Sequence, residues 1–127
     1  YAFRTIETLL IAESRKKTSR WLFEFQDLFK DVGIIIIFGS IVRQPKEAND
    51  IDILLVFSEK KMKMVKEFIR KKNKLLLKPV HPIIQSPLDI KHNLEKRNPV
   101  ILNALKQGYV LHGYDQLIEN VKNVTSF

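Results

Sequence analysis

The 127-residue chain has no cysteine, which rules out disulfides and any thiolate-ligated metal centre and suits a reducing compartment. No apolar run approaches the roughly 18–20 residues that span a bilayer, and no signal-peptide pattern opens the chain. The expectation is a cytoplasmic protein with no membrane partner. Acidic residues are scarce too: 14 Asp or Glu face 22 Lys or Arg, a net charge of +8. No acid at all occurs between Glu67 and Asp89. Repeats and low-complexity linkers are absent, and 45% hydrophobic content in 127 residues suits one core and is too short for two ordinary domains.

What is present is most distinctive at Phe38-Gly39-Ser40, followed after nine intervening residues by Asp50-Ile51-Asp52-Ile53. Ile34 to Phe38 form a continuous, mostly β-branched run between Gly33 and Gly39, which predicts a buried strand. Gly39 lets the backbone turn and approach a ligand closely, and Ser40 adds an N–H and a hydroxyl suited to a phosphate oxygen. Asp50 to Phe57 predict a second strand, on which Asp50 and Asp52 share a face. With Cβ atoms about 6.5 Å apart, two such charges repel by roughly 2–3 kcal/mol at an effective dielectric near 20. A divalent cation offsets that repulsion, and paired carboxylates with open positions are how Mg²⁺ is usually held against substrate phosphates. The plainer alternative is that Asp50 ends a loop and Asp52 faces solvent. Asp is depleted in strands, which favours the cation.

The pattern Gly39-Ser40-Ile41-Val42-Arg43, the polar loop Gln44-Pro45-Lys46-Glu47-Ala48 and then Asn49-Asp50-Ile51-Asp52 resembles the nucleotidyltransferase superfamily related to DNA polymerase β, especially its minimal, stand-alone members. The resemblance is dense over residues 34–57 and weaker in the flanking helices and at Val110-Leu111-His112-Gly113. The loop is about one residue shorter than the commonest form, and Gln44-Pro45 stand where a glycine usually follows the arginine. The resemblance implies transfer of a nucleoside monophosphate from an NTP, most often ATP, to an acceptor hydroxyl. In that scheme Gly39 and Ser40 hold the β/γ-phosphates, Arg43 lies near the phosphates or acceptor, and Asp50 and Asp52 are catalytic and bind one or two Mg²⁺ ions. Minimal members paired with a toxin protein transfer AMP to it, and this chain is similar to them in size and motif.

One element of the family pattern is missing, a third carboxylate on a later strand. The best later strand, Leu75 to Ile84, holds no acid, and His81 or Lys78 stands in that region. His81 is suited to base chemistry near neutral pH, or it is merely a strand residue between Pro79 and Pro82. Lacking the third acid, any transfer is expected to be slow. Asp89 is no replacement, because Ser86-Pro87-Leu88-Asp89 reads as a helix capping box.

Residues 1–30 read as helix, with one apolar stripe at Phe3, Ile6, Leu9 and Leu10 and another at Trp21, Leu22, Phe25, Leu28 and Phe29. Ser58 is placed to cap a helix over 59–72 with an apolar stripe of Met62, Val65, Phe68 and Ile69 and a face of Lys60, Lys61, Lys63, Lys66, Arg70 and Lys71,. Helices are predicted from Pro87 to Lys96, from Pro99 to Gln107 between Asn98 and Gly108, and from Asp115 to Asn123, with a short strand at Tyr109–Leu111. The expected fold is α+β, a two-layer arrangement with a small mixed sheet packed against helices. It is read as one domain: helical residues 1–30, a motif-bearing sheet over 31–86 and C-terminal helices over 87–127.

Between residues 59 and 78 nine Lys or Arg oppose two Glu, a surface suited to RNA, DNA, NTP or an acidic partner protein, or simply a solvated face. Phe68, the one aromatic there, belongs to the apolar stripe, so none is interleaved on the basic face for base stacking. Two further readings stand beside the transferase: a catalytically weakened nucleotide-binding or regulatory, antitoxin-like domain, and a nucleic-acid-binding module attached to an upstream DNA-binding region, the start at Tyr1 without Met suggesting a fragment.

Overall fold

The computed structural model describes residues 19–125; the apolar stripe at Phe3 to Leu10 lies outside them. Helical residues 19–25 (α1) end in a 3₁₀ turn at Gln26–Leu28. Then follow β1 (Ile34–Phe38), the short helix α2 (Ser40–Arg43), β2 (Ile51–Val56), a 3₁₀ turn at Glu59–Lys61 running into α3 (Met62–Leu75), β3 (Val80–Gln85), α4 (Pro87–Glu95), α5 (Pro99–Gln107), β4 (Tyr109–His112) and α6 (Tyr114–Thr125).

The four strands form one mixed sheet in the order β3-β2-β1-β4. β1 is antiparallel to β2 and β4, whereas β2 and β3 are parallel. A parallel neighbour needs a crossover, and α3 provides it. β1 is buried at every residue, and alternate residues serve opposite faces. Ile35 and Ile37 join Ile51, Ile53 and Leu55 beneath Phe25, Leu28, Val65 and Ile69. Ile34, Ile36 and Phe38 join Leu54 and Val56 beneath Ile90, Leu94, Ile101, Ala104 and Leu117. Helices therefore cover both faces, which corrects the two-layer expectation. Full burial on both sides is also why these strands carry unbroken apolar runs rather than alternation.

The third strand is shorter and later than its apolar run suggests. α3 continues to Leu75, and Leu77 is 98% exposed in the connection. β3 starts only where Val80 donates its N–H to Asn73 Oδ1 at 2.7 Å. Ser58 does not cap by its side chain, the 3₁₀ turn standing in its place. The other two caps form as expected. Asn98 Oδ1 accepts from the Val100 and Ile101 amides, and Ser86 and Asp89 make a reciprocal capping box with two 3.0 Å bonds.

The backbone and side-chain bonds from Ser86, in that order, hold the Asp89 carboxyl below its ordinary range. A carboxyl depressed on folding stabilises the fold above its unfolded pKa, about 3.9, and loses that contribution as pH falls through the folded value. Ser86→Ala and Asp89→Asn are therefore expected to lower the denaturation midpoint at pH 7, the Asp89→Asn deficit shrinking at about pH 2–3. Urea melts at the two pH values check this.

Candidate active site

The site is built at one end of the sheet by three neighbouring strands. β1 ends at Phe38, which pairs in register with Asp52 of β2, and Asp52 in turn pairs with His81 of β3. Asp50 lies just before β2 and turns back toward the same place. The carboxylates of Asp50 and Asp52 and a ring nitrogen of His81 all lie within 4.8 Å of one another. His81 Nδ1 is 2.9 Å from Asp52 Oδ1. Asp52 is 24% exposed and His81 64%, so the carboxylate is held by packing while the imidazole stays open to an incoming ligand.

The glycine turn is pressed against this cluster. Gly39 has φ +79°, and a Cβ on it would stand 2.5 Å from Asp52 Oδ2. Only glycine satisfies both the left-handed backbone and the close carboxylate. From that turn α2 begins, with the Val42 and Arg43 amides bonded to the Gly39 carbonyl; it makes helical what the sequence suggested only as a turn. Ser40 opens α2 beside Asp52's neighbour Gly39. Arg43 is exposed at its end, and among the described residues no hydrogen bond or ion pair links it to the carboxylates.

Of the two basic candidates for the missing third corner, His81 takes the place beside Asp52. Lys78 instead donates from Nζ to the Pro45 carbonyl, tying the loop between Gly39 and Asp50 to the start of β3. No signal in the sequence separates these two, because the β2–β3 register that decides it is a long-range pairing.

The donor set fits a divalent cation. Two carboxylates and an imidazole are all hard or borderline ligands, and the 2.9 Å between Asp52 and His81 is close to the edge, about 3 Å, of an octahedron with bonds near 2.1 Å. Among the described residues this is the one group of three or more acidic, His or Cys side chains so arranged.

A glycine–serine turn facing a carboxylate pair across a small mixed sheet is the arrangement of a nucleotidyltransferase. The chain belongs to the family described as polymerase beta, nucleotidyltransferase, whose profile matches residues 22–117. None of the curated proteins compared with it matches. Among solved structures it is similar to a toxin–antitoxin complex with AMP-PNP, at 20% identity and TM-score 0.53, covering 85% of this chain and 83% of the other. It is also similar to a mutant of the toxin–antitoxin pair MntA–HpeT carrying two Asp-to-Glu changes, at 19% identity and TM-score 0.52 with the same coverage. At these identities the likeness is one of fold. No helix among the described residues is long and apolar enough to cross a membrane.

Proposed function

We propose that this protein is a metal-dependent nucleotidyltransferase that moves a nucleoside monophosphate, AMP by preference, from an NTP to a hydroxyl on a partner protein. The observation that carries the reading is the Gly39 turn packed on Asp52 with Asp50 and His81 around it. The partner reading draws on the solved structures of similar fold, which are described as toxin–antitoxin complexes.

In this mechanism the turn at Gly39 and Ser40 receives the β- and γ-phosphates, and Arg43, on the exposed end of α2, neutralises charge on them or on the acceptor. Asp50 and Asp52 hold the cation, one or two Mg²⁺ in the family pattern, which when bound supplies positive charge to the reacting phosphate oxygens. The acceptor oxygen bonds to the α-phosphorus as the bond to the β-phosphate oxygen breaks, and pyrophosphate leaves. Catalysis of this kind is mostly positioning and charge stabilisation. With His81 where a third carboxylate usually stands, the site has two carboxylates where two cations normally share three, so one cation is held weakly and transfer is slow. Incubating the protein with a divalent cation and each α-³²P-labelled NTP, with and without a partner protein or RNA, tests this. Label appearing on protein supports it, and label confined to RNA redirects the acceptor.

A nucleic-acid acceptor has one observation in its favour, the basic face of α3. Lys63 and Lys66 are exposed, whereas Lys61 pairs with Asp31, Lys72 with Glu24 and Arg70 with Glu67. Two of the six basic residues expected on that face, Lys61 and Arg70, are thus internally paired. Lys63/Lys66/Arg70→Glu is expected to weaken binding of an anionic macromolecule several-fold and flatten its salt dependence while leaving the fold intact. Fluorescence anisotropy at two ionic strengths checks this.

A further inference from the structure

The donor set of the site differs from an all-carboxylate one, and the difference bears on which cation it takes. Mg²⁺ prefers oxygen ligands in a near-ideal octahedron and rarely accepts nitrogen. Imidazole raises affinity for divalent cations of the first transition row, in the order Mn²⁺ below Co²⁺ and both below Ni²⁺. Here one of three protein ligand positions is nitrogen, and it is fixed there by the fold. The Asp52–His81 strand register places the ring on the carboxylate side. Nδ1 already stands 2.9 Å from Asp52 Oδ1, and 64% exposure leaves the ring free to be shared with a cation.

Resting on the reading of Asp50 and Asp52 as cation ligands, we propose that His81 is a metal ligand through Nδ1 and that it makes this a site for Mn²⁺ or Co²⁺ in preference to Mg²⁺. In the cation-free protein Nδ1–H donates to Asp52 Oδ1. On binding, the ring proton moves to the Nε2 tautomer and Nδ1 turns its lone pair to the metal that Asp52 shares. Lys78 does not compete, since it is engaged at Pro45. No other His, Cys, Asp or Glu joins the group among the described residues.

The test uses the full chain at pH 8 with inorganic triphosphate, a nitrogen-free stand-in for the nucleotide's phosphates. Mn²⁺ is titrated by the loss of its free EPR signal, Mg²⁺ by calorimetry, and pulsed EPR reads ¹⁴N coupled to bound Mn²⁺. The expected result is a ¹⁴N coupling and Mn²⁺ binding about tenfold or more tighter than Mg²⁺. His81→Ala should abolish the coupling and weaken Mn²⁺ about tenfold with little change for Mg²⁺. His81→Asp should also lose the coupling yet tighten Mg²⁺, which separates ligand loss from misfolding. Tight Mn²⁺ binding with no ¹⁴N coupling, unchanged in His81→Ala, overturns the proposal and leaves the carboxylate site standing. Failure of the wild type to bind either cation overturns the carboxylate site as well.

Discussion

Asp50→Asn/Asp52→Asn is expected to abolish cation-dependent NTP binding and to reduce nucleotidyl transfer to background. Both negative charges leave the same small cluster, whose ligand atoms lie within 4.8 Å of one another and of His81, so no carboxylate remains in it to hold the cation. Charge stabilisation of this kind commonly accounts for a factor of a hundred or more per group. The fold should survive. Asp50 precedes β2 and Asp52 is partly exposed, and removing two neighbouring like charges relieves repulsion. Isothermal calorimetry of ATP with and without Mg²⁺ or Mn²⁺, together with thermal melts, checks both halves. Equal cation-dependent affinity in the double variant would remove Asp50 and Asp52 from the mechanism.

Gly39→Ala should be nearly as damaging, for a different reason. The new Cβ meets the penalty of a backbone at φ +79° and ψ −156°, a region essentially confined to glycine and costing about 1–3 kcal/mol, and would also stand 2.5 Å from Asp52 Oδ2. Phe38 and Asp52 are locked in register, so the carboxylate rather than the strand must move. Nucleotide and cation binding should both fall at least tenfold, with a modest loss of stability. A Gly39→Ala protein with unchanged nucleotide affinity would show that the turn does not press on the site as described.

Much of this was legible in the chain. The runs Ile34 to Phe38 and Ile51 to Phe57 are strands because nothing in them is polar except Asp52, and the capping signals at Ser86 and Asn98 are local chemistry that tertiary packing left in place. The motif itself brought Gly39, Asp50 and Asp52 together without knowledge of the sheet. Three features were not legible for identifiable reasons. Leu75, Leu76 and Leu77 look like strand by hydrophobicity, but helix-forming Lys72 and Lys74 carry α3 through Leu75, and Leu77 is left exposed. α2 is a single turn, too short for periodicity to register. The pairing of His81 with Asp52 depends on a parallel register across a crossover, which no window of sequence contains. The second helical layer did have a signal: strands apolar on both faces call for cover on both faces.

The same parity shows where the site stands. Asp52 shares the face of Leu54 and Val56, the one covered by α4, α5 and α6, while Ile51 and Ile53 point to α1 and α3. Lys63 and Lys66 lie on the exposed side of α3, which covers the opposite face from the carboxylates. The face carrying the chemistry is thus separate from the most basic surface.

The most direct measurement compares α-³²P-ATP with γ-³²P-ATP as donor, in the presence of a divalent cation and a co-expressed partner protein, with Asp50→Asn/Asp52→Asn as control. The account predicts label on protein from the α position alone, pyrophosphate release, and no label with the control. Label from the γ position, or α label that persists in the control, would contradict it.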